Sequence, residues 1–159
     1  MAINTTAGAK LYIGGVRPVA TDTSAEYAAL TWVEIKETEN LGEIGDEAAQ
    51  VTFRGIADSR VRKLKGGSDA GTQTVVCGTD ELDLGQIAMN AAAKTKFEYA
   101  FKLELLDKLD ANDTNTIYYF GAPVFSARER FDEADNVVRT TYALGINTDV
   151  IKVPKTVVP

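Results

Sequence analysis

Acid–base and nucleophilic catalysis near neutral pH leans on histidine, and this chain of 159 residues has none. That excludes Ser-His-Asp and Cys-His arrangements, HExxH zinc helices and imidazole proton shuttles. Such work would fall to carboxylates, Lys or Tyr. The pairs Asp107/Asp110 and Asp132/Asp135 exist, but 23 acidic residues guarantee such pairs, and turn-forming or solubilising roles explain them. Cys77 is the one thiol, so a single chain can build no disulfide, CxxC redox pair or cysteine zinc site. It sits in Thr74-Val75-Val76-Cys77-Gly78 without a cationic sequence neighbour and reads as an inert buried thiol. Gly66 and Gly71 have the separation of P-loop glycines, but Thr72 stands where the phosphate-binding Lys is required, so the segment reads as a loop end. Asp110–Asn115 has the opening of a calcium loop, but Asn115 replaces its sharp-turn Gly and Gly121 its bidentate Glu; a tight hairpin explains it better. No catalytic residue, metal site or cofactor is expected, and an enzyme is the disfavoured reading.

The elements that would position any site are mostly strands. Lys96–Leu105 sets Phe97, Tyr99, Phe101, Leu103 and Leu105 on one face and Lys96, Glu98, Lys102 and Glu104 on the other. Residues 138–147 alternate in the same way, with Val138, Thr140, Tyr142, Leu144 and Ile146 together. Ile117 to Phe125 is aromatic and β-branched on both faces, with Pro123 marking an edge or bulge, and Phe131–Val137 is the hairpin turn that follows. Further strand signals at 10–13, 30–35, 51–56 and 72–78 bring the count to about seven, as in a β-sandwich or barrel. One amphipathic helix is expected over about 81–94, presenting Leu84, Ile87, Ala88 and Ala91 to the core, with Gly85 a weak point in its first turn. The fold class is thus mainly β, one domain, with one flanking helix.

A net charge of −6 disfavours ordinary nucleic-acid binding but would suit a surface that DNA must pass without sticking. The N-terminus has no signal-peptide pattern and no stretch approaches a membrane span, so a cytoplasmic origin without membrane contact is expected. Charge is segregated. Glu34, Glu37, Glu39, Glu43, Asp46 and Glu47 precede a basic block of Arg54, Arg60, Arg62, Lys63 and Lys65. Complementary poles favour head-to-tail contact between copies, although two solvated loop faces would give the same pattern. Trp32 is either a core anchor or a hot spot between subunits.

Thr31–Ile35, Leu41-Gly42-Glu43-Ile44-Gly45, Val51-Thr52-Phe53, the Lys63–Gly71 loop and a single helix before Phe97-Glu98-Tyr99-Ala100-Phe101 together resemble the tail tube proteins of long, non-contractile phage tails and gene transfer agents. The resemblance spans roughly residues 8–150. It implies a β-sandwich assembled into hexameric rings that stack into a tube, a structural conduit for DNA from capsid to host. It also implies a long inter-strand loop at 38–71 and arms at 1–9 and 150–159, disordered or ordered on neighbours. Glu37, Glu39, Glu43 and Glu47 would then meet Arg54, Arg60, Arg62 and Lys63 of other copies. Glu98, Lys102 and Glu104 are candidates for the channel wall. The implied partners are copies of itself, tape measure, tail tip and terminator proteins, and DNA passing without specific binding. The implied location is the virion tail. A secretion-system tube protein or a capsid or tail accessory protein is the competing reading.

Overall fold

The alternating segments become three antiparallel sheets in the computed structural model, which describes residues 3–18, 21 and 23–157. A five-stranded sheet runs in the order β11 (Ile151–Val153), β8 (Ile117–Ala122), β7 (Tyr99–Glu104), β1 (Lys10–Val16), β2 (Val33–Ile35). A four-stranded sheet runs β3 (Thr38–Asn40), β6 (Thr72–Gly78), β10 (Arg139–Gly145), β9 (Val124–Arg130), and β4 (Glu47–Phe53) pairs with β5 (Arg62–Asp69) as a separate hairpin. Register places Leu11, Phe101, Leu103 and Phe120 on the inner face of the first sheet and Val75, Cys77, Tyr142 and Leu144 on that of the second. Phe101 and Phe120 stack with ring centroids 5.5 Å apart. Such side chains each contribute about 1.5–3 kcal/mol when fully buried. Burial also pushes the Cys77 thiol up to about 12, so it stays protonated and unreactive.

The strands number eleven among the described residues rather than about seven. β2, β3 and β11 have three residues each, too short to show a period, and β5 reads as a basic loop in sequence. At Pro123 the chain passes from β8 in one sheet to β9 in the other, so one aromatic run yields two strands. Glu37 turns the chain from β2 to β3 with φ of 59°, and its carbonyl accepts from Gly78 N at 2.8 Å. The expected hairpin turn at 131–137 joins β9 to β10, with Arg130 opposite Arg139. The turn at 110–115 lies inside a connection of twelve residues between β7 and β8, not the tight hairpin expected.

Among the described residues two helices are present where one was expected. The first, α1 (Ser24–Ala28), is capped by Thr23, which accepts from Glu26 N at 3.3 Å, and buries Tyr27 against the outer face of the five-stranded sheet. The second, α2 (Leu84–Ala93), lies within the expected 81–94 but presents a different face. Gly85, Gln86, Met89 and Ala92 are buried, whereas Leu84 is 71% and Ile87 47% exposed and Ala91 is also exposed. Ala88 alone of the expected four packs against the core. Polar contacts chose this face. Asp83 caps the helix, accepting from Gln86 N at 3.2 Å and from Lys36 N at 3.0 Å. The Gln86 amide donates to Gly78 O at 2.9 Å and Lys36 O at 3.1 Å and accepts from Asp80 N at 3.0 Å. Gly85 lets the backbones of α2 and β2 touch, since a Cβ there would strike Glu34 O.

Part of each expected arm, residues 1–2 and 158–159, lies outside the described residues. Residues 3–8 are exposed, while the C-terminal segment returns to its own domain. It forms β11 on β8, then Lys155 Nζ donates to Asp107 O at 3.2 Å and Thr156 N to Thr114 Oγ1 at 3.0 Å. Among the described residues no helix is long and apolar enough to cross a membrane.

Two measurements check these contacts. Gly85→Ala ordinarily stabilises a helix by about 1 kcal/mol; here urea unfolding is expected to show a loss of about 1–3 kcal/mol from overpacking. Thr116 donates to both Asp107 oxygens, at 2.6 Å from Oγ1 and 2.8 Å from N, and holds the carboxyl below its usual range despite burial. A depressed folded-state pKa gives stability that is full above the ordinary value and lost as pH falls through the folded one. Below about pH 4 the parent's urea midpoint is therefore expected to fall faster than that of Asp107→Asn.

Candidate assembly surface

The hairpin β4–β5 stands apart from the sandwich because, among the described residues, nothing in its own chain covers either of its faces. Its register pairs Phe53 with Arg62, Thr52 with Lys63, Val51 with Leu64 and Gln50 with Lys65. One face therefore carries Val51, Phe53 and Leu64, with Arg62 at its tip end, and the other Gln50, Thr52, Lys63 and Lys65. The apolar face is bare: Phe53 is 56% and Leu64 57% exposed, and Ile56 and Val61 project near the tip. A lone two-stranded hairpin is at best marginally stable in water. An amphipathic one asks for a partner on its apolar side.

Charge divides along the same hairpin. Arg54, Arg60 and Arg62 cluster at the tip, where Arg62 meets Asp58 at 3.3 Å. At the base Glu47 stands directly opposite Asp69, and with Glu43 and Asp46 they line an open groove of about 1030 Å³. Like charges directly opposite destabilise a sheet. The seven residues of β4 separate tip from base by about 20 Å, beyond the screening length of about 8–10 Å in physiological salt. The poles of one hairpin thus cannot neutralise each other.

The other sequence-predicted positions are scattered by the fold. Glu39 pairs with Arg139 of its own chain, Nε to Oε2 at 2.5 Å, and Glu37 occupies the corner between the sheets. Trp32 is half-buried on the outer face of the five-stranded sheet, its indole donating to Tyr27 O at 3.1 Å and its ring 6.0 Å from that of Tyr119. Lys102 lies over the Tyr12 ring at 4.3 Å and near Trp32 at 5.6 Å. On the same outer face Glu104 accepts from Asn115 at 3.1 Å, and Glu98 lies 3.4 Å from Arg17. All three charged side chains have intramolecular partners. Sequence reasoning passed over Val51, Phe53, Val61 and Leu64 as a surface. The signal was there in Gln50-Val51-Thr52-Phe53 and Lys63-Leu64-Lys65, where apolar and polar residues alternate without a second apolar segment in sequence to cover them.

The four-stranded sheet presents a contrasting outer face. Thr72, Thr74 and Val76 of β6 lie beside Thr141 and Ala143 of β10 and Ser126 of β9, a stretch of small, mostly hydroxylated side chains bordered by the exposed ring of Phe125, which lies over Gly145. Its charges gather at one end, where Arg139 is held by Glu39, Arg130 by Asp132 at 2.6 Å, and Arg128 is exposed. Among the described residues no group of three or more His, Cys, Asp or Glu is placed to hold a metal ion.

No family model and no curated protein sequence matches the chain. Solved structures do. A chain of the anti-feeding prophage baseplate, in a six-fold symmetrised reconstruction, is 11% identical with a TM-score of 0.71 over 97% of this chain and 98% of that one. A chain of the sheath/tube terminator of an extracellular contractile injection system (PVC) is 12% identical with a TM-score of 0.65, covering 95% and 96%. The SPP1 tail tube protein is 15% identical with a TM-score of 0.62, covering 91% of this chain and 75% of that one. The fold is therefore the one implied by the tail-tube resemblance, and these components of tails and injection machines share it.

Because the apolar hairpin face contributes nothing to the sandwich, Phe53→Ser and Leu64→Ser are each expected to leave the unfolding free energy of the isolated chain within about 0.5 kcal/mol of the parent, measured by urea denaturation.

Proposed function

We propose that this protein is a structural tube subunit, which self-associates into hexameric rings stacked around a channel. The observation that carries the reading is the hairpin β4–β5, apolar on one face and oppositely charged at its two ends, uncovered within its own chain. Two different surfaces that complement each other on one molecule generate rings when the rotation closes and filaments when it does not. The shared fold supports the same reading, since the SPP1 structure is of a tail tube.

The outer face of the four-stranded sheet is the better channel wall. Among the described residues its middle is at least partly open to solvent, and the threonines and serine there carry no positive charge to hold a polyanion, while Arg128, Arg130 and Arg139 lie together at one end. The Glu98, Lys102 and Glu104 face is half-covered by Trp32 and Tyr27, and its charged side chains are already engaged by Arg17, by the Tyr12 and Trp32 rings and by Asn115. The cargo is DNA moving from capsid to host in a virion tail, and the protein partners are tape measure, tip and terminator components. No catalysis enters this role. A second reading, the tube of a contractile injection apparatus that carries protein cargo, draws on the nearly complete mutual coverage with the prophage and PVC chains.

Negative-stain electron microscopy with light scattering at high protein concentration tests the assembly. Rods or stacked rings with a central channel are expected, disassembling as salt rises because exposed ion pairs are screened. Arg60→Glu with Arg62→Glu is expected to abolish them, and unaltered rods from that variant would remove the charge-pole contact from the mechanism.

A further inference from the structure

A further bare apolar surface is the solvent face of α2. Leu84 and Ile87 lie one turn apart, Ala91 continues the line, and Leu82, 87% exposed, precedes it. Glu81 and Asp80 flank this stripe at the N-terminal end of the helix, and Lys94 and Lys96 at its C-terminal end. The stripe is therefore apolar in the middle, acidic at one end and basic at the other. The hairpin has the same three-part pattern, with a basic tip, the Val51/Phe53/Leu64 face, and an acidic base. Their lengths are comparable once residues 80–83 ahead of the helix are added. The ten residues of α2 span about 15 Å, and the seven of β4 about 20 Å.

We infer that α2 is the receptor for the hairpin of a second copy of this chain. The tip arginines meet Glu81 and Asp80, the apolar faces close on each other, and the hairpin base meets Lys94 and Lys96. This inference rests on the tube-subunit reading and adds to it where the hairpin lands and in which direction. The two surfaces differ, so the contact is heterologous and each copy gives one hairpin and receives one. The reversed placement would set tip against lysines and base against acids, and like-charge juxtaposition disfavours it.

The test uses the full chain in two variants, Ile87→Asp on the receptor and Leu64→Asp on the hairpin, both at exposed positions. Each alone is expected to lose large assemblies by at least tenfold in light scattering while keeping the parent's circular dichroism and melting temperature. Mixed in equal amounts, they retain one good hairpin and one good helix between them, so a one-to-one dimer that grows no further is expected by mass photometry. Should Ile87→Asp assemble like the parent, or the mixture stay monomeric while the parent assembles, the α2 assignment falls and the tube reading stands. A parent that never assembles defeats both. If either Asp variant fails to fold, Phe53→Cys mixed with Ile87→Cys replaces it: oxidation is expected to link the two copies, because the native Cys77 is fully buried, and no cross-link means no such contact.

Discussion

Everything else in the sandwich depends on the buried amide of Gln86. It is 2% exposed and bonds at once to Gly78 at the end of β6, Lys36 just past β2, and Asp80 ahead of its own helix. Those three points belong to both main sheets and to α2. A buried polar group is tolerable only when it is paired, and leaving one unpaired costs about 1–3 kcal/mol. The amide therefore fixes the position of the helix more sharply than apolar packing could, and Asp83 reinforces it by capping α2 and receiving Lys36 N together.

This arrangement settles which side of α2 faces inward, and so which side is left over. Leu84 and Ile87 have the apolarity for the core, but Gln86 and Gly85 have the hydrogen bonds and the small size that close approach to β2 demands. Geometry outranks hydrophobicity at this point. The outcome is a stable sandwich with an apolar stripe and an amphipathic hairpin outside it, two features that lower the free energy only when another surface covers them.

Much of the sandwich was legible in the sequence because half-buried strands repeat every two residues. β7 and β10 show that period, and β6 was bounded correctly by its flanking turn residues. The three-residue strands were not legible, since a periodic pattern needs more positions than they have. Nor was the division at Pro123, where one apolar run serves two sheets. The basic stretch Arg62-Lys63-Leu64-Lys65-Gly66-Gly67 has no β-branched residue and reads in sequence as part of a loop, yet pairing with β4 makes it a strand. The helix is legible in the sequence but its inward face is not, because a hydrophobicity pattern does not register what a glutamine side chain can reach across the fold.

Only Ala70 and Gly71 separate β5 from β6, so the hairpin is rooted in a strand that is itself flanked by β3 on one side and β10 on the other. A pull on the hairpin along that strand would load the ladder between β6 and β10 in shear, with its hydrogen bonds bearing force side by side rather than opening one after another. Tension on the hairpin is thus passed into the unbroken β6–β10 ladder and shared along it, rather than concentrated at the two residues of the link.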